Sequence, residues 1–501
     1  MSRAAKSYLS EGAVVFSNWN PDRESETPLY MQLAGYLRSE IIDGRILPET
    51  KLPSLSVMQN VFSVSRNTCI NALEQISSEG LIEISPKKKP VVIYKTNNLP
   101  SSSSPDWFRY IKHGKHFPTD EHYHRLSYLR GQAGLVNTYE MRLGREFHPE
   151  LPVNEALKKV SKKISGLYHH SFFDVKGIPM VRELVCSAVR EYGIEADPSQ
   201  VLLTSGPMNA MTLICKGLLS IGTNVFAVSP NSLKPMNFFN TFGLNMINVN
   251  QDSGGISIED LKAKTHKARG GILHVNPVAF WPNMLTMSDQ RIKDVFSLCS
   301  AKKLPVMEND MMREYWLVKE PPVPLKAYDK SGVCIYIYSF TRPLIPGLRM
   351  AAVIAPSQVI NQLADVKLQS EWGTDTISQL TFGELISENL FRNYMDSIRP
   401  ALLERRDEVD MLMQRYLGDI ATWKKEDFGL NFWIKFNSDI DTRNLMCEKE
   451  GILIYPGALA GNSYKNCLWL CYSCLSVTDM ESVLMVISRL AKSAILKMKA
   501  D

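Results

Sequence analysis

The sequence lacks any apolar run long enough to cross a membrane, since no window approaches the roughly 18 uncharged apolar residues that a transmembrane helix needs. The first 16 residues, MSRAAKSYLSEGAVVF, also lack an apolar core ahead of a small-residue cleavage site, because Glu11 interrupts them. We therefore expect neither a membrane span nor a secretory signal peptide. The protein is expected in the reducing cytoplasm.

Cysteine and histidine spacings typical of metal sites are also scarce in the sequence. The chain has 9 cysteines, an odd number, and no CxxC pair stands beside histidines. Cys467, Cys471 and Cys474 do cluster, so a zinc site is one interpretation of that segment. They fall in the apolar run CLWLCYSCL, which favours the alternative of a buried strand with core thiols. We therefore predict no metal site.

Positive charges exceed negative charges only slightly, with a formal net charge of +5 on 501 residues. This balance neither requires nor excludes a nucleic-acid partner, so such a partner must be argued from local features. The length exceeds what one compact core usually holds, and apolar residues make up an ordinary 45%. Two or more globular domains are expected.

Composition divides the chain into four segments. An N-terminal extension, residues 1–27, precedes a compact region of three helical patterns and a basic hairpin at residues 28–95. The stretch TNNLPSSSSPD then opens a linker that we place at residues 96–139, because serine and proline runs are typical of linkers. In residues 140–501, helical patterns alternate with short β-rich runs such as VLLTSG, NVFAVSP, GILHVNP and CIYIYSF. This alternation predicts an α/β fold with a mostly parallel sheet covered on both faces.

The region 28–95 carries the spacing of a DNA-reading domain. Apolar residues every four positions predict a first helix over residues 29–43. A short second helix is expected from Ser54, and a third from Ser65, whose hydroxyl can cap the free amides of its first turn. In such helix pairs, polar donors at the start of the later helix contact DNA in the major groove. The predicted DNA contacts are Ser54, Ser65, Arg66, Asn67 and Thr68, together with Lys87, Lys88 and Lys89 at the hairpin tip.

The alternative for this region is a small helical domain whose lysine run is only a solvated turn. The motifs PLYMQL, LPS, VSRNT and EGLI together resemble the GntR family of winged helix-turn-helix regulators. This resemblance implies a DNA-binding domain over the whole region. Ser56 stands where the family usually has an arginine that contacts DNA, so the resemblance does not carry over an operator sequence.

The C-terminal region contains, in this order, the segments KGIPMVRELV, VLLTSGPMNAM, VNPVAFWPN, MENDMMREY, IYSFTRPLIPGLRMA and GILIYPG. Through their order the region resembles fold-type I aminotransferases, and the whole chain resembles the MocR subfamily of GntR regulators. It implies pyridoxal phosphate as the family cofactor and a dimer built through the aminotransferase-like domain. That cofactor needs a lysine whose neutral amine forms an imine with its aldehyde.

The chain departs from the aminotransferase pattern at that lysine. In the family the lysine stands five residues before G-x-R, and here Arg342 holds this position. A guanidinium stays protonated at physiological pH, so Arg342 cannot supply an imine. The resemblance also places the acid under the pyridine nitrogen at Asn309, the tyrosine two residues later at Met311, the stacking aromatic residue near Ser232 and the carboxylate-binding arginine at Trp469.

Part of the family's phosphate-binding cup persists. Ser205 and Gly206 open a strand-to-helix turn, where backbone amides point toward an anion. Ser339 and Arg349 match the family's phosphate-binding hydroxyl and guanidinium. One interpretation is a retained site for a phosphorylated or carboxylated effector, and the other is that these residues are only structural.

We therefore predict a DNA-binding transcription regulator that is not an enzyme, with an aminotransferase-like domain that senses a ligand, dimerises, or both. The expected partners are double-stranded DNA, a second copy of the chain and a small anionic effector, without a covalent cofactor or a membrane. One alternative is a DNA-binding scaffold without a ligand. The other is a pyridoxal phosphate-dependent aminotransferase that uses another lysine, such as Lys326 or Lys330.

Overall fold

The computed structural model describes residues 19, 21–23, 27–42, 45–85, 88–93, 119–130, 132, 134–164, 174–268, 270–445 and 450–500. The chain divides into two compact units, Met1–Gly114 and Lys115–Asp501. Each unit encloses apolar core residues of its own. In the described ranges, no helix is both long enough and apolar enough to span a membrane.

Among its described residues, the first unit contains three helices and a two-stranded hairpin. Helix α1 covers Leu29–Ile42, α2 covers Leu55–Phe62 and α3 covers Arg66–Ser78, while strands β1 and β2 cover Ile82–Glu83 and Val91–Val92. The two strands pair antiparallel. The apolar stripes of the helices meet in one core, as their spacing predicts. Its fully buried members include Leu33, Leu37, Ile41, Met58, Phe62, Cys69, Ala72 and Ile76.

Helix α3 has a defined start and a defined end. Ser65 is its N-cap, and the Ser65 hydroxyl accepts a hydrogen bond of 3.1 Å from the Thr68 backbone amide. One free amide of the first turn is thereby satisfied, as predicted. Beyond the other end, Gly80 adopts a φ of +73°, a left-handed conformation that glycine reaches without steric penalty. The chain can therefore turn directly into the hairpin.

The first unit's core also includes a residue from the segment expected to be an N-terminal extension. The Trp19 ring stacks on Tyr36 with 5.8 Å between centroids, and meets Phe62 edge-on at 5.6 Å. Aromatic pairs in these geometries contribute stability beyond the area they bury. The compact region therefore begins before residue 28.

The second unit contains thirteen labelled α-helices and fifteen strands among the described residues. The strands are β3 (Val136–Asn137), β4 (Val201–Thr204), β5 (Asn224–Val228), β6 (Asn245–Val249), β7 (Gln251–Asp252), β8 (Gly255–Ile256), β9 (Ile272–Val275), β10 (Val306–Asp310), β11 (Cys334–Tyr338), β12 (Ala351–Ile354), β13 (Ala421–Trp423), β14 (Asn431–Phe436), β15 (Ile452–Leu453), β16 (Tyr455–Pro456) and β17 (Cys467–Cys471). The helices are α4 (Glu121–Leu129), α5 (Glu150–Ile164), α6 (Pro179–Arg190), α7 (Pro207–Leu218), α8 (Phe238–Thr241), α9 (Ile258–Lys267), α10 (Asp289–Lys302), α11 (Leu325–Tyr328), α12 (Thr341–Leu344), α13 (Ser357–Glu371), α14 (Thr376–Ser387), α15 (Leu390–Leu417) and α16 (Val477–Ala500).

A seven-stranded sheet forms the centre of the second unit, in the order β4-β12-β11-β10-β9-β5-β6. Every pairing is parallel except those of β12, which runs antiparallel to both β4 and β11. Strands β4, β9, β10, β11 and β12 are buried along their whole length, as expected for a sheet covered on both faces. The predicted α/β fold with a mostly parallel sheet is confirmed.

A smaller antiparallel sheet lies nearer the C-terminus, in the order β13-β14-β17-β16. Its strand β17 is the run CLWLC, and all five residues are buried. The thiols of Cys467, Cys471 and Cys474 lie in this interior. Over the part of the chain that the structure describes, no group of three or more His, Cys, Asp or Glu residues is arranged to hold a metal ion.

The segment expected to be a linker, residues 96–139, is folded over part of its length. Helix α4 buries Leu126 and Leu129 in the core of the second unit. Strand β3 pairs in parallel with β15, more than 300 residues later in the sequence. A short strand with a distant partner has no local pattern, which is why the sequence did not reveal it. Residues 96–118 lie outside the described residues.

Candidate functional site

The first turn of α3 presents polar groups on the surface of the first unit. Arg66 and Asn67 are exposed, whereas the opposite side of the helix is buried in the core. The hydroxyls of Ser65 and Thr68 lie 2.8 Å apart and hold the helix start in place. Asn71, one turn after Asn67, is exposed as well. Asn71 was not predicted from the sequence, although its spacing of four residues from Asn67 places it on the same helix face.

The remaining predicted DNA contacts flank α3. Ser54 is the N-cap of α2, and its hydroxyl lies 3.1 Å from that of Ser56. Lys88 and Lys89 are exposed on the connection between β1 and β2. Lys87 lies outside the described residues. Helices α1 and α2 thus pack against the buried side of α3, and a basic hairpin follows it, which is the arrangement of a winged helix-turn-helix.

In the second unit, the predicted anion-binding residues come together at one edge of the large sheet. Ser205 and Gly206 follow β4, Ser339 follows β11, and Arg349 lies just before β12. The Ser339 hydroxyl donates a hydrogen bond of 2.8 Å to the carbonyl of Met350. A β-carbon added to Gly206 would lie 3.6 Å from the Arg349 guanidinium. The backbone turn and the guanidinium are therefore in contact.

Arg342 adds a second positive charge to this edge. Its guanidinium carbon lies 5.3 Å from the centroid of the Trp281 ring, in a cation–π arrangement. The surrounding protein atoms lower the pKa of Arg342 by desolvation, and the charge of Arg349 lowers it further. Both arginines are exposed, and neither has a carboxylate within 4 Å among the described residues. The edge therefore holds two guanidinium groups without an anionic partner.

A carboxylate of the chain lies beside the Ser205 turn. Glu371, the last residue of α13, accepts hydrogen bonds from the Ser205 hydroxyl at 3.5 Å and from the Asn209 amide at 3.4 Å. Desolvation raises the pKa of Glu371. An anion bound to the Ser205 hydroxyl has to displace this side chain. Glu371 was not predicted from the sequence, because 166 residues separate it from Ser205.

The resemblance aligns Asn309 and Met311 with two further catalytic positions of the family, and neither side chain is the acid or the tyrosine expected there. The Asn309 side-chain oxygen is buried without a hydrogen bond among the described residues. Met311 packs half-buried against the main apolar core. The neighbouring Asp310 bonds instead to Arg313 at 2.6 Å and to the Tyr336 hydroxyl at 2.9 Å. Its carboxylate is thereby engaged in a structural network.

An aromatic cluster occupies the space around Trp469, where the resemblance would place a carboxylate-binding arginine. The Trp469 ring lies 5.2 Å from Trp281 and 5.8 Å from Tyr455, measured between centroids. The two indole N–H groups and the Tyr455 hydroxyl are buried and have no hydrogen-bond partner in the described part of the chain. Because Trp281 also contacts Arg342, the cluster extends to the sheet edge that carries Ser205, Gly206, Ser339, Arg342 and Arg349. We call this edge the anion edge. The half-buried Ser232 stands at the position of the stacking aromatic residue.

A buried lysine, Lys367, forms hydrogen bonds close to the Ser205 turn. The Lys367 amine donates hydrogen bonds of 2.8 Å to the carbonyls of Val175 and Leu203, and it lies 3.9 Å from Glu371. Its side chain has no solvent exposure. Desolvation lowers the pKa of Lys367 from 10.5 to about 8. The lysine thus ties α13 to the end of β4.

Two family models match the chain. Residues 138–487 match the family described as aminotransferase class I and II, and residues 29–92 match the bacterial regulatory proteins of the gntR family. The HTH-type transcriptional regulator YisV of Bacillus subtilis is 28% identical over 474 residues, which cover 94% of this chain and 97% of YisV. The regulator YdfD of the same species is 29% identical, over 91% of this chain and 94% of its own length. The resemblance to GntR regulators with an aminotransferase-like domain is confirmed.

Solved structures show the same fold for the second unit. Kynurenine aminotransferase of Pyrococcus horikoshii superposes with a TM-score of 0.71 at 20% identity, covering 77% of this chain and 98% of its own. An archaeal alanine:glyoxylate aminotransferase superposes with a TM-score of 0.70 at 22% identity, covering 78% of this chain and 100% of its own. At these identities the likeness establishes the fold alone.

The depressed pKa of Lys367 predicts a pH-dependent stability. Between pH 8 and 10.5 the unfolded chain holds the lysine proton more tightly than the folded chain, so stability rises with pH across this window. The contribution amounts to about 3 kcal/mol over the window. In Lys367→Met, urea denaturation at pH 7.5 and pH 10 should lack this rise. Lys216→Met, an exposed lysine on α7, should keep it, and equal slopes in all three proteins would contradict the assignment.

Proposed function

Since the chain belongs to the aminotransferase class I and II family and also carries a GntR-type segment, we propose that it is a DNA-binding transcription regulator. One observation carries this proposal. The capped helix α3 exposes Arg66 and Asn67 beside a basic hairpin, in the segment that matches the GntR model. Relatives that match over more than nine-tenths of the chain are named as transcriptional regulators, which supports the same conclusion.

We expect two kinds of contact with DNA, one to base edges and one to phosphates. Arg66 and Asn67 are the side-chain types that pair with guanine and adenine edges in the major groove, so they would supply sequence selectivity. Lys88 and Lys89 carry point charges on the hairpin, so they would contact phosphates and add affinity that falls with salt. Ser65 and Thr68 bond to each other and would orient the helix start.

Replacing Arg66 tests the DNA-reading surface. The DNA is a duplex selected from a random-sequence library by the wild-type chain, and binding is followed by fluorescence anisotropy. Arg66→Ala should weaken binding by about 1–3 kcal/mol, because one bidentate base contact is lost. Arg45→Ala serves as the control, since Arg45 is half exposed and pairs with Glu40 at 2.8 Å. Equal affinities for Arg66→Ala and the wild type would remove Arg66 from the DNA-binding surface.

We further propose that the second unit performs no imine chemistry. Arg342 holds the lysine position, Asn309 and Met311 replace the polar partners of the ring, and Trp469 replaces the carboxylate-binding arginine. These residues do not fit pyridoxal phosphate as a covalent cofactor. Lys326, one of the two alternative lysines, has its amine bonded to Asp329 at 3.0 Å and to the Cys334 carbonyl at 2.8 Å.

Borohydride trapping tests this loss of chemistry. The full chain is mixed with pyridoxal phosphate, reduced, digested and mapped for phosphopyridoxyl-lysine. The wild type should carry no adduct between β11 and β12, whereas Arg342→Lys should carry one at position 342 because a primary amine is restored there. A wild-type adduct on Lys326 or Lys330, accompanied by an imine absorption band, would contradict the proposal and favour an aminotransferase.

The exposed guanidinium groups of Arg342 and Arg349 support an anionic, non-covalent effector. Two neighbouring positive charges without carboxylate partners are stabilised by a bound anion, and the amides at the start of α7 point to the same turn. The Ser339 hydroxyl already donates to a carbonyl, so it would contribute acceptor capacity only. A ligand-free scaffold is the competing function, and it requires the edge to bind nothing.

Inorganic phosphate serves as the probe of the anion edge. We expect phosphate to raise the melting temperature of the wild-type chain above the shift caused by chloride at equal ionic strength. Arg349→Gln should lose this difference. Arg190→Gln, a surface arginine on α6 that is 60% exposed, should retain it. Identical shifts with phosphate and chloride in the wild type would support the ligand-free scaffold.

A further inference from the structure

A cavity of about 220 Å³ lies in the second unit. It is bounded by α6, the segment after β10, the end of α14 and the start of α15. Its volume is below that of pockets for drug-sized ligands, so it suits only a small organic molecule. The residues that give the cavity its chemical character are Tyr192, Glu314, Tyr338, Phe340, Phe391 and Arg392.

Aromatic side chains form the apolar wall of the cavity. Phe340 and Phe391 stack with 4.3 Å between ring centroids, and Tyr338 lies 5.8 Å from Phe340. All three rings are at least nine-tenths buried. A wall of this kind favours an apolar or aromatic ligand body over a polar one.

Glu314 provides a carboxylate to the cavity wall. Its carboxylate accepts a hydrogen bond from the Tyr192 hydroxyl. Among the described residues, no cationic group lies within 4 Å of it, since Arg313 pairs with Asp310 and Arg392 with Glu191, and both arginines lower its pKa only from farther away. Desolvation raises the pKa of Glu314, so a carboxylate here lacks the solvation that stabilises its negative charge.

We propose that this cavity binds a small organic amine with an apolar or aromatic body. The ammonium group would bond to the Glu314 carboxylate and form the direct ion pair that Arg313 and Arg392 do not make with it. The body would make apolar contacts with the aromatic wall, and these contacts are not cation–π contacts to Phe340, because its ring stacks on Phe382 and Phe391. A carboxylate ligand is disfavoured, because it would bring a second negative charge to Glu314.

The cavity differs from the anion edge in charge and in location. It requires a cation, whereas Arg342 and Arg349 require an anion. The two sites share one chain segment, since Phe340 lines the cavity and the adjacent Ser339 bonds at the anion edge. This inference does not depend on DNA binding, and amine binding is measured without DNA.

Calorimetric titration of the full chain tests the chemical class of ligand. The probes are 2-phenylethylamine, the neutral 2-phenylethanol and the anionic phenylacetate, which share one aromatic body. The amine should bind about tenfold more tightly than either analogue, as expected for a charge-assisted hydrogen bond. No binding of the amine, or equal or tighter binding of phenylacetate, would overturn the proposal.

Two cavity variants and one control variant test where the amine binds. Glu314→Gln keeps the shape of the side chain and should weaken amine binding about tenfold or more. Ala188→Phe fills the cavity from α6 and should abolish binding, which gives an independent test if Glu314→Gln does not fold. Glu195→Gln, a surface glutamate outside the cavity, should bind as the wild type does. Wild-type affinity in either folded cavity variant would place the amine elsewhere and overturn the assignment.

Discussion

The anion edge depends on one antiparallel strand in an otherwise parallel sheet. Strand β12 pairs with β4 on one side and with β11 on the other. Because β12 runs in the opposite direction, its first residue lies at the carboxyl ends of both neighbours. The turn after β4, Ser339 after β11 and Arg349 before β12 therefore meet at one place. Any chain with this strand order assembles the same three segments, whatever chemistry their side chains carry.

The second unit has the fold of aminotransferases, while several of its side chains differ from those that the family resemblance expects at the same positions. The backbone turn at Gly206 and the guanidinium of Arg349 persist at the edge, but Arg342 cannot form an imine and Glu371 lies against Ser205. The space near Trp469 is filled by aromatic rings. Under the proposed function, the second unit binds a ligand without converting it, and the first unit reads DNA.

Local patterns predicted the parts of the structure that depend on neighbouring residues. The helices of the first unit, the Ser65 cap and the strands of the central sheet follow from apolar spacing and from the residues at element ends. Two segments matched by resemblance, VLLTSGPMNAM and IYSFTRPLIPGLRMA, contain the predicted site residues Ser205, Ser339, Arg342 and Arg349. Glu371, the Trp281–Tyr455–Trp469 cluster and the pairing of β3 with β15 were missed. Each depends on contacts between residues far apart in the sequence, for which a single sequence has no periodic signal.

Hydrogen–deuterium exchange of the full chain, with and without a duplex that it selects from a library, tests the central claim most directly. If the first unit reads DNA, the amides at the start of α3 and in the hairpin between β1 and β2 exchange more slowly when the duplex is bound. Amides in α10, on the second unit, should exchange at an unchanged rate. Unchanged exchange throughout residues 54–93, with the duplex bound, would contradict the account.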